Sequence, residues 1–215
     1  MTIAAVDFAS LLCSRLCHDL LSPVGALNNG LELLADETDP AMRERCMELL
    51  AESARASAAK LKFFRLAFGA AGGLSEMIDT REAQGALVGL VDPRRVEIAW
   101  MVAEPALPKP AVKVLLNLAM IASDALVRGG RLDVGAESGE NGVEIVLRAE
   151  GPRLVLDDEL RSTLVNGRPG GQVSPRAAPA YLAHALVSAA GGRIQLGDGD
   201  GEQPSLLVGA IMGAG

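Results

Sequence analysis

Apolar residues recur at spacings of three and four from near the start of the chain. Cys13, Cys17, Leu20, Val24, Leu27, Leu31 and Leu34 lie on one face of a helix expected over residues 7–37, the a/d pattern of a helix bundle. Asp7 and Ser10 are candidate caps for its start. Pro23 falls inside the pattern and should bend the helix, because it removes a backbone donor. Thr38-Asp39-Pro40 closes this helix and opens a second over residues 40–68, with Asp39 as cap and Pro40 in the first turn. The second helix carries Met42, Cys46, Leu49, Leu50, Leu61, Phe64 and Phe68 around a small-residue middle from Ser53 to Ala59. Two long helices with so short a connection predict an antiparallel hairpin. Folded about Thr38, it sets His18 opposite Ala58, and Phe8 opposite Phe64 and Phe68. One hairpin cannot bury an apolar seam on both of its helices. Pairing with a second copy into a four-helix bundle is the economical solution, so a homodimer is expected.

The glycine-rich stretch Gly69-Ala70-Ala71-Gly72-Gly73 divides the chain into a hairpin unit, residues 1–70, and a second unit, residues 74–215. The pattern then changes. A helix is expected over 74–91, a strand over 96–102 and a helix over 110–127. Two strands, 132–138 and 143–149, flank the turn Gly139-Glu140-Asn141-Gly142. A short helix over 157–164 leads into a Gly/Pro-rich loop, 166–175. A helix over 177–190 stops at Gly191-Gly192. Strands 193–196 and 206–212 close the sheet. A mixed sheet with helices on one face makes the fold class α+β.

Composition narrows the functions on offer. Hydrophobic residues make up 49% of the 215, enough for a sizeable core. The net charge of −7 comes without a Lys/Arg cluster, which argues against nucleic acid and anionic membrane as partners. There is no basic n-region at the start and no apolar run long enough to span a bilayer, so a cytoplasmic location is expected. The three cysteines, Cys13, Cys17 and Cys46, are odd in number and sit in helical segments, as reduced buried thiols do. Cys17 and His18 are adjacent on a helix and cannot face each other as a nucleophilic pair.

His18 is one of only two histidines. With Cys17 at an a position it falls just off the seam. Its helical neighbours are Ser14, Arg15, Leu21 and Ser22, with Gly25 one turn further, a mostly small and polar face that a protein domain can approach. An imidazole with an ordinary pKa of about 6.5 is mostly neutral at pH 7 and can attack phosphorus in line. Asp19 either orients the ring or is simply solvated. Arg15 or Lys60 could offset phosphate charge. His184, in an apolar helix, reads as a structural residue.

His18-Asp19-Leu20-x-Ser22-Pro23 resembles the phospho-acceptor box of dimerisation and histidine-phosphotransfer domains. The later element order resembles the ATP-binding domain of histidine kinases. Val114-Leu115-Leu116-Asn117-Leu118 is similar to the start of the kinase N box, but Ile121 stands where the magnesium-holding asparagine would fall. Ala149-Glu150-Gly151-Pro152-Arg153 is similar to the adenine-reading box, with Ala149 at its aspartate and Arg153 at its second glycine. Pro175, Ala177 and Pro179 replace phosphate-cradling glycines. No carboxylate is left for adenine and no oxygen for the metal, and a backbone bearing Cβ atoms cannot approach phosphates closely. Residues 74–215 are therefore expected to be a degenerate kinase-like domain without nucleotide.

An intact histidine box beside a ruined nucleotide site, with Arg15-Leu16-Cys17-His18-Asp19-Leu20 and Gly25-Ala26-Leu27-Asn28-Asn29-Gly30-Leu31-Glu32, resembles the ChpT family of histidine phosphotransferases from alphaproteobacterial cell-cycle phosphorelays. The resemblance implies a phosphohistidine at His18, loaded by the receiver domain of a CckA-like hybrid kinase and discharged to CtrA-like and CpdR-like response regulators. It implies no cofactor of the chain's own, magnesium coming with the receiver. Ser14, Arg15, Leu21, Ser22, Gly25 and Lys60 are the expected docking residues. The competing expectation is an inactive receiver-binding or anti-sigma-like module.

Overall fold

The computed structural model describes residues 3–69, 76–140, 142–167, 172–199, 201 and 203–213. Helices α1 (Ala5–Asp36) and α2 (Pro40–Phe68) form the expected hairpin. The α1 helix runs unbroken through Pro23, which is buried. Neither Asp7 nor Ser10 caps α1. It starts after Ala4, and Ser10 Oγ donates to Val6 O within the helix at 2.9 Å. Asp39 does cap α2, accepting from Ala41 N at 3.2 Å, with Pro40 as the first helical residue. Several seam positions stay open on the single chain: Cys13, Cys17, Val24 and Leu31 are exposed, as are Met42, Leu49 and Leu61 of α2.

All but Gly69 of the glycine-rich stretch lies outside the described residues. The expected helix over 74–91 proves to be shorter. Strand β1 (Met77–Asp79) comes first, and α3 (Thr80–Leu90) follows. β1 pairs antiparallel with a second short strand, β3 (Ala106–Pro108), a partner distant in sequence that local periodicity could not announce. Thr80 Oγ1 ties the corner by donating to Glu104 O at 2.6 Å.

The main sheet contains β2 (Val96–Trp100), β4 (Gly130–Gly139), β5 (Gly142–Glu150), β6 (Arg193–Asp198) and β7 (Ser205–Gly213), in spatial order β2-β4-β5-β7-β6. The β2–β4 pair is parallel and the others are antiparallel, so the sheet is mixed as expected. Burial alternates along it: Leu132, Val134 and Ala136 of β4 and Ile145, Leu147 and Ala149 of β5 face inward, while Glu144 and Arg148 face water. That period of two marks a sheet covered on one face. The covering helices are α4 (Lys109–Ala125), α5 (Asp158–Asn166) and α6 (Ala178–Ala189), the last preceded by a 3-10 turn at Pro175–Ala177. The fold class is α+β.

Helix α4 is buried almost all round, because α2 closes over it from outside the sheet. Phe63, Phe64, Leu66 and Ala67 in the last turns of α2 belong to the same core as α4 and the sheet. Full burial of each large side chain there is worth about 1.5–3 kcal/mol. Asn117 of α4, wholly buried, donates from Nδ2 to Ala67 O at 3.2 Å and to Lys113 O at 2.7 Å. Lys113 Nζ reaches Phe68 O at 3.3 Å. Amide and cation thus meet the open carbonyls at the end of α2, where the helix dipole is negative. Phe8 does not meet Phe64 or Phe68. Those two rings stack on each other at 5.2 Å, while Phe8 turns edge-on to Tyr181 of α6 at 5.1 Å. The aromatic end of α2 is occupied by the core, so the start of α1 docks on α6 instead. Tyr181 Oη accepts from Ile3 N at 3.0 Å.

Candidate functional site

Successive turns of α1 place Ser14, Arg15, His18 and Asp19 beside one another, as spacings of three and four must. The His18 side chain is 85% exposed and that of Asp19 only 16%. Asp19 Oδ1 lies 3.1 Å from His18 Nδ1, and Asp19 Oδ2 accepts from Arg15 Nε at 2.6 Å. The other end of the Arg15 guanidinium, Nη2, donates to Asp124 Oδ2 on α4 at 3.2 Å. Lys60 of α2 donates from Nζ to the backbone oxygen of Asp19 at 2.7 Å. Hairpin and sheet unit therefore meet in one polar chain: Asp124, Arg15, Asp19, His18.

The charges follow this arrangement. Burial opposes the Arg15 cation, but Asp19 and then Asp124 outweigh it and hold its pKa above the usual arginine value. Burial pushes the Asp124 carboxyl above the ordinary aspartate range, against the pull of Arg15.

His18 opens onto a groove of about 710 Å³, lined by Ser14, Arg15, Asp19 and Asp124 on one side and Ser174, Pro175 and Arg176 on the other. The 3-10 turn that supplies the second wall is held in place. Ser174 accepts from Ala177 N and bonds Glu159 through N (2.7 Å) and Oγ (2.8 Å), while Arg176 pairs with Asp157 at 2.9 Å. An exposed imidazole on such a groove can accept a group from a docked macromolecule. The polar wall beside it leaves room for a loop of that macromolecule.

The other expected residues divide. Leu21 (70% exposed) and Ser22 lie on the open surface outside the groove, and Gly25 is half-buried further along the same helix. Arg15 is not a free cation, being shared between two carboxylates. Lys60 lies on a separate polar cleft of about 340 Å³ behind His18, with Arg15, Asp19, Asp92, Arg95 and Asp124. His184 is structural: Nδ1 lies 3.0 Å from Leu164 O, and Ser188 Oγ is 3.3 Å from Nε2. Asp124, Ser174, Pro175 and Arg176 were not among the residues expected from sequence. For Asp124 there was a signal. A carboxylate at the C-terminal end of an apolar helix opposes the dipole by about 0.3–1 kcal/mol, which is reason to look for a compensating cation.

Where the kinase resemblance expected nucleotide groups, Ile121 and Ala149 are buried apolar residues. Asn117 is turned to the end of α2, and Pro175 opens the 3-10 turn of the groove wall.

Comparison with known proteins gives one consistent result. Residues 80–202 match the sequence profile of the histidine phosphotransferase C-terminal domain. Over 196 residues the chain is 37% identical to the protein phosphotransferase ChpT of Brucella abortus (strain 2308), covering 91% of this chain and 92% of that protein. A solved bacterial phosphotransferase is 34% identical and superposes with a TM-score of 0.85, covering 98% of both chains.

Proposed function

The chain belongs to the histidine phosphotransferase family and is a protein phosphotransferase; from that premise we propose that it carries the phosphoryl group on His18, between receiver domains of a phosphorelay. One observation carries this reading: His18 is the exposed imidazole on the groove, with Nδ1 backed by a carboxylate at 3.1 Å. With Nδ1–H donating to Asp19 Oδ1, the lone pair lies on Nε2, the outward nitrogen. Nε2 attacks the phosphorus of an aspartyl phosphate in line. The N–P bond forms, the P–O bond to the aspartate breaks, and that carboxylate leaves with the electron pair. The ring becomes a phosphorylated imidazolium whose Nδ1–H charge Asp19 stabilises. Onward transfer runs the same steps in reverse, on a second receiver.

The donor is the receiver of a CckA-like hybrid kinase, and the acceptors are CtrA-like and CpdR-like regulators. Magnesium belongs to the receiver, and the chain needs no cofactor of its own. Ser14 and the 3-10 turn hold the receiver loop from two sides, with Leu21, Ser22 and Gly25 as the flanking surface. Residues 1–70 are the transfer and dimerisation unit. Residues 74–215 act as a docking platform without nucleotide, a role the apolar Ile121 and Ala149 support. The exposed Val24, Leu31, Leu33, Met42, Met47, Leu49 and Leu61 support pairing of two hairpins into a four-helix bundle.

The experiment is transfer from a radiolabelled, phosphorylated receiver. The wild-type chain should be labelled and the His18→Ala variant should not. Label retained in the alanine variant would overturn the assignment.

A further inference from the structure

The Arg15 side chain binds two carboxylates through neighbouring donors. Nε goes to Asp19 at 2.6 Å and Nη2 goes to Asp124 at 3.2 Å. Those two nitrogens form the edge with which an arginine ordinarily grips both oxygens of one carboxylate. Asp124 occupies half of that edge. Arg15 is therefore limited to one oxygen of Asp19, Oδ2, and Oδ1 is left for His18 Nδ1. Without Asp124, Nη2 is free to swing onto Oδ1 and complete a bidentate pair, drawing that oxygen away from the ring.

We propose that Asp124 is a positioning residue for phosphotransfer: it holds Arg15 off the second oxygen of Asp19, so that this oxygen fixes His18 with Nε2 as the nucleophile. The proposal rests on His18 being the phospho-acceptor. It gives residues 74–215 a part in preparing the nucleophile, since Asp124 reaches α1 from α4. Only when the hairpin is seated against α4 is the ring bonded in the productive tautomer.

Asp124 is poorly placed for stability. It stands in the last turn of α4, against the dipole, and beside the Asp19 carboxylate and the Asp92 of the shared cleft. The cations nearby are Arg15, Lys60, Arg95 and Arg176. Burial raises its pKa despite Arg15. The folded chain thus holds the Asp124 proton more tightly than the unfolded chain does. Ionised Asp124 subtracts from stability once the pH has risen through that raised pKa.

The test is made on the full-length chain with Asp124→Ala and Asp124→Asn. Nitrogen-15 spectra of the histidine ring, recorded without phosphate or partner, read the His18 tautomer directly. The wild-type ring should carry its proton on Nδ1. The alanine variant should shift toward the Nε2–H form, and the asparagine variant, which keeps an acceptor for Nη2, should fall between. Transfer from a phosphorylated receiver should slow about tenfold in the alanine variant, the effect of losing one charge-assisted positioning bond, and less in the asparagine variant. Thermal melting of Asp124→Asn should not fall below wild type. An unshifted ring or an unslowed transfer would overturn the proposal, and so would loss of transfer that merely tracks a loss of folded protein. The His18→Ala labelling result is independent of the ring spectra, so failure of the acceptor assignment and failure of the Asp124 role are distinguishable.

Discussion

Gly25 offers a test in which stability and function should move in opposite directions. It sits inside α1, where glycine is unfavourable by about 0.8–1 kcal/mol relative to alanine. A Cβ built there meets nothing within 4 Å, so no clash offsets the gain. Gly25→Ala should stabilise the chain by about 1 kcal/mol and raise Tm by about 2–4 °C for a chain of this size. The melt is followed by far-UV circular dichroism at matched protein concentrations, because the proposed pairing of two hairpins would make Tm concentration-dependent. Seven residues at about 100° each bring Gly25 back to within about 20° of His18 on the helix. A larger side chain there stands on the face a receiver approaches. Gly25→Leu should keep the fold and slow phosphotransfer, with Gly25→Ala between it and wild type. A lowered Tm for the alanine variant would mean that this face is packed against something, and the open-face reasoning would fail. A leucine variant with unchanged transfer rates would remove Gly25 from the docking surface.

Two further outcomes concern the joint between α2 and α4. Asn117→Ala removes the bonds to Ala67 O and Lys113 O and should cost about 2 kcal/mol, at roughly 1 kcal/mol per bond. An unchanged urea midpoint would show that Asn117 does not hold the end of α2. Lys113 has its pKa lowered, first by burial and then by Lys109, from a reference of 10.5. Between the lowered value and 10.5 the unfolded chain binds more protons than the folded one, so stability should rise with pH through that window. Lys113→Met should lose this part of the rise in urea titrations taken across the window, and an identical slope in both proteins would refute the assignment.

The hairpin was legible in the sequence because both of its signals are local: apolar spacing of three and four, and Asp39-Pro40 at the connection. The strands of the main sheet were legible from their period of two and the glycines at their turns. β1 and β3 were not, since three-residue strands such as Met77–Asp79 carry no period and exist through pairing with each other. The site shows the same division. His18 and Asp19 are sequence neighbours, and their adjacency could be read directly. The state of Arg15 could not, because it depends on Asp124 arriving from α4, a contact across 109 residues. The groove wall at Ser174, Pro175 and Arg176 was hidden for the same reason. Pro175 reads in the sequence as a loss from a nucleotide site, whereas in the fold it opens a turn beside the histidine. The expected contact of Phe8 with Phe64 and Phe68 failed because it treated the hairpin as if nothing else competed for its open end.

The burial of the last turns of α2 bears on how the chain can be cut and recombined. Phe63, Phe64, Leu66 and Ala67 are part of one helix by covalent continuity and part of another structural unit by packing. A fragment ending just after Phe68 would carry these side chains into water, and a fragment beginning there would leave a trough over α4 of matching shape. The hairpin is therefore not a portable cassette. Exchanging it between relatives would require carrying the facing surface of α4 along, so the inheritable unit is the helix pair together with its seat.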